Sequence, residues 1–361
     1  MQRRSVSGRV AAVATLAAGA LAGLAGLSEE SGSGGLIGIG NAVNVRESTR
    51  VQGGAGAAYS LSWHPDSAVL ASANADGTVR MWDARTFETL KVIDAHPGGA
   101  WSVAWSPDGG RLASAGEDGA VRVWNSVTAE AVFEFPLEES GLYGTKRWAF
   151  CVAWSPDGRL LAAGYGDGTL RTFDVEAGAL RFAWPGHVSG GHSTEVVSVD
   201  WSSDGTILAS GGIDYAVRLW TAAGEPLAVL RADTLARNDI NGVAWSPDGG
   251  RIAAAGQDGS VRIWDAVTHD QLLALSTGPN HWTRGLAWSP DGRLLASSGG
   301  DRSVHLWDAT TGTEIAELTG HEEYVWSVAW SPDGRLLASG SGRYNVLHGN
   351  PDIRIWSLPG G

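Results

Sequence analysis

VAWSPDGGRLASAGEDGAVRVWN, residues 103–125, is one copy of a unit that recurs seven times along this chain. The first tryptophan of the unit falls at Trp63, Trp105, Trp154, Trp201, Trp245, Trp288 and Trp330, at intervals of 42, 49, 47, 44, 43 and 42 residues. A second aromatic follows 19 residues later at Trp82, Trp124, Phe173, Trp220, Trp264 and Trp307; in the last copy it is Trp356, 26 residues on. A period of ~40–45 residues is the length of one four-stranded propeller blade.

Alternation within the unit places its strands. In the second copy, Trp101 to Trp105 reads as the inner strand and Arg111 to Ala115 as the second. Val121 to Trp124 is the third, and Glu130 to Phe135 the outer one. Ser106-Pro107-Asp108-Gly109 is a turn in which Pro presets φ and Gly accepts a positive one. It recurs at Ser155, Ser246, Ser289 and Ser331, with variants at His64 and Ser202. The seventh copy stops one strand short, while Glu47 to Val51 has strand character at the offset of an outer strand. The sequence therefore predicts that the N-terminal strand completes the seventh blade, since an open ring leaves strand edges and blade faces exposed.

Outside the array the chain changes character. Residues 1–28 hold Arg3, Arg4 and Arg9, then an Ala/Gly/Leu run, with no acid before Glu29. A secretory signal, an organelle transit peptide, a membrane anchor at 10–27 and a disordered tail all fit this pattern. Residues 29–41 read as a Gly/Ser-rich linker, and 42–361 as the propeller. Localisation follows the leader: exported or organellar if 1–28 is a targeting segment. The formal net charge of −13, with only two lysines, argues against nucleic acid as partner. The single cysteine, Cys151, sits in a strand and reads as an inert packed thiol.

The Asp-Gly turns, the Ser-Pro-Asp-Gly turns and the Trp-Asp pairs at Trp82, Trp264 and Trp307 resemble the WD-repeat propellers, and the resemblance covers nearly everything from residue 42 onward. It implies one all-β, seven-bladed ring of four-stranded antiparallel blades. It also implies a scaffold that binds a protein or peptide without catalysis, in the cytoplasm, as a monomeric propeller within a complex. It further implies a buried tetrad of His, Ser, turn Asp and Trp in some blades. By spacing these are His96, Ser114, Asp118 and Trp124; His192, Ser210, Asp214 and Trp220; and His321, Ser339, Asp352 and Trp356. The other copies carry Gly54, Thr145, Ala236 and Pro279 at the histidine position.

Ser, His and Asp together invite a hydrolase reading. A catalytic triad is one constellation at one site, whereas this set recurs in three blades and satisfies polar groups that a blade must bury. The remaining histidines show no metal-ligand spacing, and no phosphate loop is present, so neither metal nor cofactor is expected.

Functional information lies in what is not repeated. Thirteen of the 18 tryptophans occupy the two repeat positions. Trp101, Trp148, Trp282 and Trp326 instead lie four or six residues before an inner-strand Trp, offsets that also hold Tyr59, Phe150 and Tyr324. Inner strands begin around one mouth of the central channel. An aromatic arc over repeats 6, 7, 1, 2 and 3 is therefore expected, with Glu195, Asp239, Asn241 and Arg284 at the equivalent positions elsewhere. Insertions at Pro136–Arg147, Trp184–His192 and Ser341–Pro351 open on the same face, where loop variation on a rigid scaffold places binding. The sequence predicts that Tyr59, Trp101, Trp148, Phe150, Glu195, Asp239, Trp282, Arg284, Tyr324 and Trp326 contact the partner, with the tryptophans standing in water until it binds. A glycan- or ligand-binding propeller, and more remotely an enzyme, are the competing readings.

Overall fold

In the computed structural model, residues 35–51, 56–136, 148–189, 192–231, 238–278, 281–343 and 352–359 are described. The leader, the histidine-position residues Gly54, Thr145, Ala236 and Pro279, and most of the insertions at 136–147 and 341–351 lie outside them. Seven four-stranded antiparallel sheets follow one another. Their inner strands are Ala58–Trp63, Ala100–Trp105, Ala149–Trp154, Val196–Trp201, Ile240–Trp245, Thr283–Trp288 and Val325–Trp330. The fold is a seven-bladed β-propeller, as the spacing predicts. The described residues include one single-turn 3-10 helix, Ala42–Asn44, and no helix long and apolar enough to cross a membrane.

Six blades take all four strands from one contiguous stretch; the seventh does not. Its outer strand is Arg46–Val51, paired antiparallel with Asp352–Ser357 in the register Arg50↔Arg354 and Val51↔Ile353. Val51 is buried against Ile353, Ile355 and the first blade. The expected linker is partly structural: Ile37 is 4% exposed and packs with Ala42 and Val45 on blades 6 and 7. Its N–H donates to the Gly334 carbonyl in a Ser-Pro-Asp-Gly turn, so this segment is held on the face opposite the mouth.

Neighbouring blades are stitched through their inner strands. Ser60, Ser102, Ser198 and Ser327 each accept, at Oγ, a backbone N–H of the next blade, from Val103, Val152, Val243 and Leu61, at 3.0–3.3 Å. Gly242, in the equivalent position of blade 5, allows closer approach: a Cβ there would lie 2.2 Å from the Arg284 carbonyl oxygen. Asn241 makes that junction instead, donating to the Thr283 carbonyl at 3.0 Å.

The inner tryptophans stitch a second tier. Trp63, Trp154, Trp201, Trp288 and Trp330 donate their indole N–H to the carbonyl of the alanine before the preceding blade's tryptophan, at 3.0–3.2 Å. In blades 1 and 4 that residue is Ser62 or Asp200. Their side chains take the backbone N–H of Trp105 and Trp245 instead, and those two indole nitrogens are left buried without a hydrogen-bond partner among the described residues.

Candidate functional site at the channel mouth

The tetrads are internal. In blade 2, Trp124 donates to Ser114 Oγ at 2.9 Å; Ser114 Oγ lies 2.7 Å from His96 Nε2, and His96 Nδ1 lies 2.8 Å from Asp118. Blade 7 repeats the chain through Trp356, Ser339, His321 and Asp352. In blade 4, Trp220 and Ser210 take their places, but the imidazole is that of His187, not His192. Counting nine residues back from Trp201 misses it, because a hairpin pairing Val188–Ser189 with His192–Ser193 intervenes and places the histidine before it. Ser114, Ser210 and Ser339 are completely buried, so no substrate reaches their hydroxyls. Burial lowers the pKa of His187 and His321, while hydrogen bonds to these imidazoles hold Asp214 and Asp352 below the usual carboxylate range despite their own burial. A neutral imidazole against an ionised aspartate, with every donor directed to an acceptor, is a satisfied structural network.

On the third strand of each blade a basic residue faces the turn aspartate. Arg80, Arg122, Arg171, Arg218 and Arg262 pair with Asp76, Asp118, Asp167, Asp214 and Asp258, four residues earlier. Blade 6 alone uses histidine: His305 lies 2.8 Å from Asp301 and 2.7 Å from Glu314. Burial works against its charge, but these two carboxylates hold its pKa above the ordinary value.

At the mouth the aromatic arc is continuous. Ring centroids are 5.0 Å apart for Trp282 and Trp326, 5.5 Å for Trp326 and Tyr59, 4.6 Å for Tyr59 and Trp101, and 5.7 Å for Trp101 and Trp148. Phe150 closes on Trp101 at 5.9 Å. The expectation that the tryptophans stand in water is corrected here. Trp101 is 4% and Trp326 9% exposed, and Tyr59 and Phe150 are buried with them in one cluster. The rings shield one another, so they are part of the folded core of the mouth. Trp148 and Trp282 are half-buried, and Tyr324 is the exposed member at 39%.

Two cavities open here. One, about 160 Å³, is the channel itself; Tyr59, Trp101, Phe150, Asn241, Arg284 and Trp326 line it, with Ser60, Ser102, Ser198 and Ser327. The Arg284 guanidinium lies 5.5 Å from the Trp326 ring centroid, within cation–π range. The other, about 510 Å³, is lined by His281, Trp282, Gly300, Asp301, Arg302 and Tyr324. Arg302 adopts φ 70° at a turn position where blades 1, 2, 3 and 5 place glycine, an arrangement disfavoured for a side chain. Cys151 also faces the channel, with burial pushing its thiol up to about 12; it stays protonated.

Glu195 and Asp239 complete the outer tier of the mouth on blades 4 and 5, both half-buried. Among the described residues, neither lines either cavity, and neither cavity joins them to a histidine.

With the ring and its mouth described, the chain's kinship is direct. The WD domain, G-beta repeat family matches residues 47–83, 87–125, 139–174, 184–221, 224–265, 272–308 and 312–357. The chain belongs to the WD-repeat family, whose propellers serve generally as protein-interaction scaffolds and are typically not enzymes. No curated protein matches it.

Proposed function

We propose that this propeller is a non-enzymatic scaffold that binds a protein or peptide through the face at which its inner strands begin. The observation that carries the reading is the unbroken aromatic contact from Trp282 to Phe150 across five blades, flanked by the half-buried Trp148 and the exposed Tyr324, with two cavities alongside. The buried members form a rigid floor. Trp148, Trp282 and Tyr324 are the accessible anchors, large rings with a polar edge that suit an interface hot spot.

The test is a binding measurement on the full chain. Partners that co-purify with it are identified by mass spectrometry, and the leading one is purified. Trp282→Ala combined with Tyr324→Ala should weaken its binding by about 2 kcal/mol or more, the loss typical of a hot spot, with little change in melting temperature. Asp108→Asn combined with Asp291→Asn, on the opposite face, should leave binding intact. The reading fails if the turn-face variant loses the partner and the mouth variant keeps it.

A further inference from the structure

We propose that the mouth receives a lysine or arginine side chain of its partner, with the cationic head against Asp239 and the apolar stem along Trp282. This inference rests on the scaffold reading above and adds the chemistry of what is bound.

The positions six residues before the inner tryptophans form one tier around the mouth. From blade 3 to blade 7 they are Trp148, Glu195, Asp239, Trp282 and Tyr324. Two carboxylates on neighbouring blades thus stand between tryptophans. The third-strand turn aspartates described above are each held by an Arg or His. Asp239 differs: no hydrogen bond or ion pair reaches its carboxylate from the described residues, and half-burial alone raises its pKa. A half-buried carboxylate without a counter-charge costs folding free energy. A cation supplied from outside removes that cost on binding.

Three further observations favour a cation with an apolar stem over an acid or a neutral group. The chain carries a formal net charge of −13, which draws basic partners at long range. Trp282 sits on the blade next to Asp239, half-buried, in the aromatic arc. The mouth already holds one cation over an indole, Arg284 on Trp326, so its aromatic faces accept this contact. Asp301, in the recess beside Trp282, is already held by His305, which leaves the cationic head to Asp239. Arg302 lines the same recess and is exposed; it suits an acidic residue flanking the cation.

A phage-displayed random peptide library panned on the full chain provides the test. Selected peptides should share one lysine or arginine, and their synthetic forms should bind less tightly as salt rises. Asp239→Asn should weaken those peptides about tenfold while melting at or above the wild-type temperature. Asp239→Lys should shift selection toward aspartate and glutamate. Selection of acidic or uncharged peptides by the wild type, or unchanged affinity in Asp239→Asn, overturns the proposal. Trp282→Ala separates the two levels. If it abolishes peptide binding while Asp239→Asn does not, the mouth remains the binding surface and the cation is wrong. If neither substitution matters, the scaffold reading of this face falls with it.

Discussion

Arg50 and Asp352, 302 residues apart, meet with Nε 2.5 Å from Oδ1. The same aspartate accepts His321 of the blade 7 tetrad and Arg354 beside it, while Arg354 also pairs with Glu47. One carboxylate thereby joins the closing strand to the most buried polar network of its blade. Arg50→Ala should cost about 1 kcal/mol, because that guanidinium is partly solvated. Asp352→Ala should cost about 3 kcal/mol or more, since it leaves a buried imidazole and a buried guanidinium short of an acceptor. Chemical denaturation of both variants checks the ranking, and equal losses would show that closure does not run through Asp352.

His187 and His192 offer a direct test of the blade 4 network. His187→Ala should destabilise by about 2 kcal/mol by leaving Asp214 and Ser210 without their shared partner. His192→Ala should leave that network intact and destabilise less than His187→Ala. Equilibrium unfolding of the two single variants distinguishes them, and a reversed order would restore the assignment made by counting.

Asp200 gives the ring a pH dependence. Burial pushes its carboxyl up to about 7, even though it accepts the backbone N–H of Trp201 and Trp245. A carboxyl with a raised folded pKa binds protons more tightly folded than unfolded, so stability is greatest below the unfolded pKa near 4 and falls as pH rises toward 7. Asp200→Asn keeps an acceptor and removes the titration. It should be more stable than wild type by roughly 1–2 kcal/mol at pH 8, part of the full shift because Asp200 is not wholly dry, with the gain vanishing near pH 4. A constant difference across that range would rule out Asp200 as the source.

His305 titrates in a neighbouring window. Its raised pKa means that its contribution is complete below the unfolded value near 6.5 and is lost as pH climbs through the folded one. On deprotonation Asp301 and Glu314 lose the charge between them. His305→Arg, the residue type of the other blades, should flatten the melting profile between pH 6 and 8. The same variant should leave the profile at pH 5 unchanged, which melting curves at both ends would establish.

The spacing of Trp63 to Trp330, and the offset of Glu47–Val51, made the ring and its closure legible before any coordinates, because each blade needs the same indole and turns at the same places. The tetrads of blades 2 and 7 were legible for the same reason. His187 was not, since its distance from Trp201 depends on a loop rather than on the blade. The burial of Trp101 and Trp326 was not legible either. Their place at the mouth follows from chain position, but their mutual shielding needs rings from five blades brought together, which no local pattern records. Asp200 and Ser62 carried a weak signal as the polar residues where five blades have alanine.

Tyr59 belongs to the first inner strand and Trp326 to the last, and their rings meet across the junction that the closing strand secures. During synthesis Tyr59 leaves the ribosome long before Trp326, so the mouth is incomplete until Trp326 has been made. A partner that reads this surface meets only molecules whose translation has passed Trp326 and whose seventh blade has shut. Under the reading proposed above, chains interrupted before Trp326 lack the surface that the partner contacts.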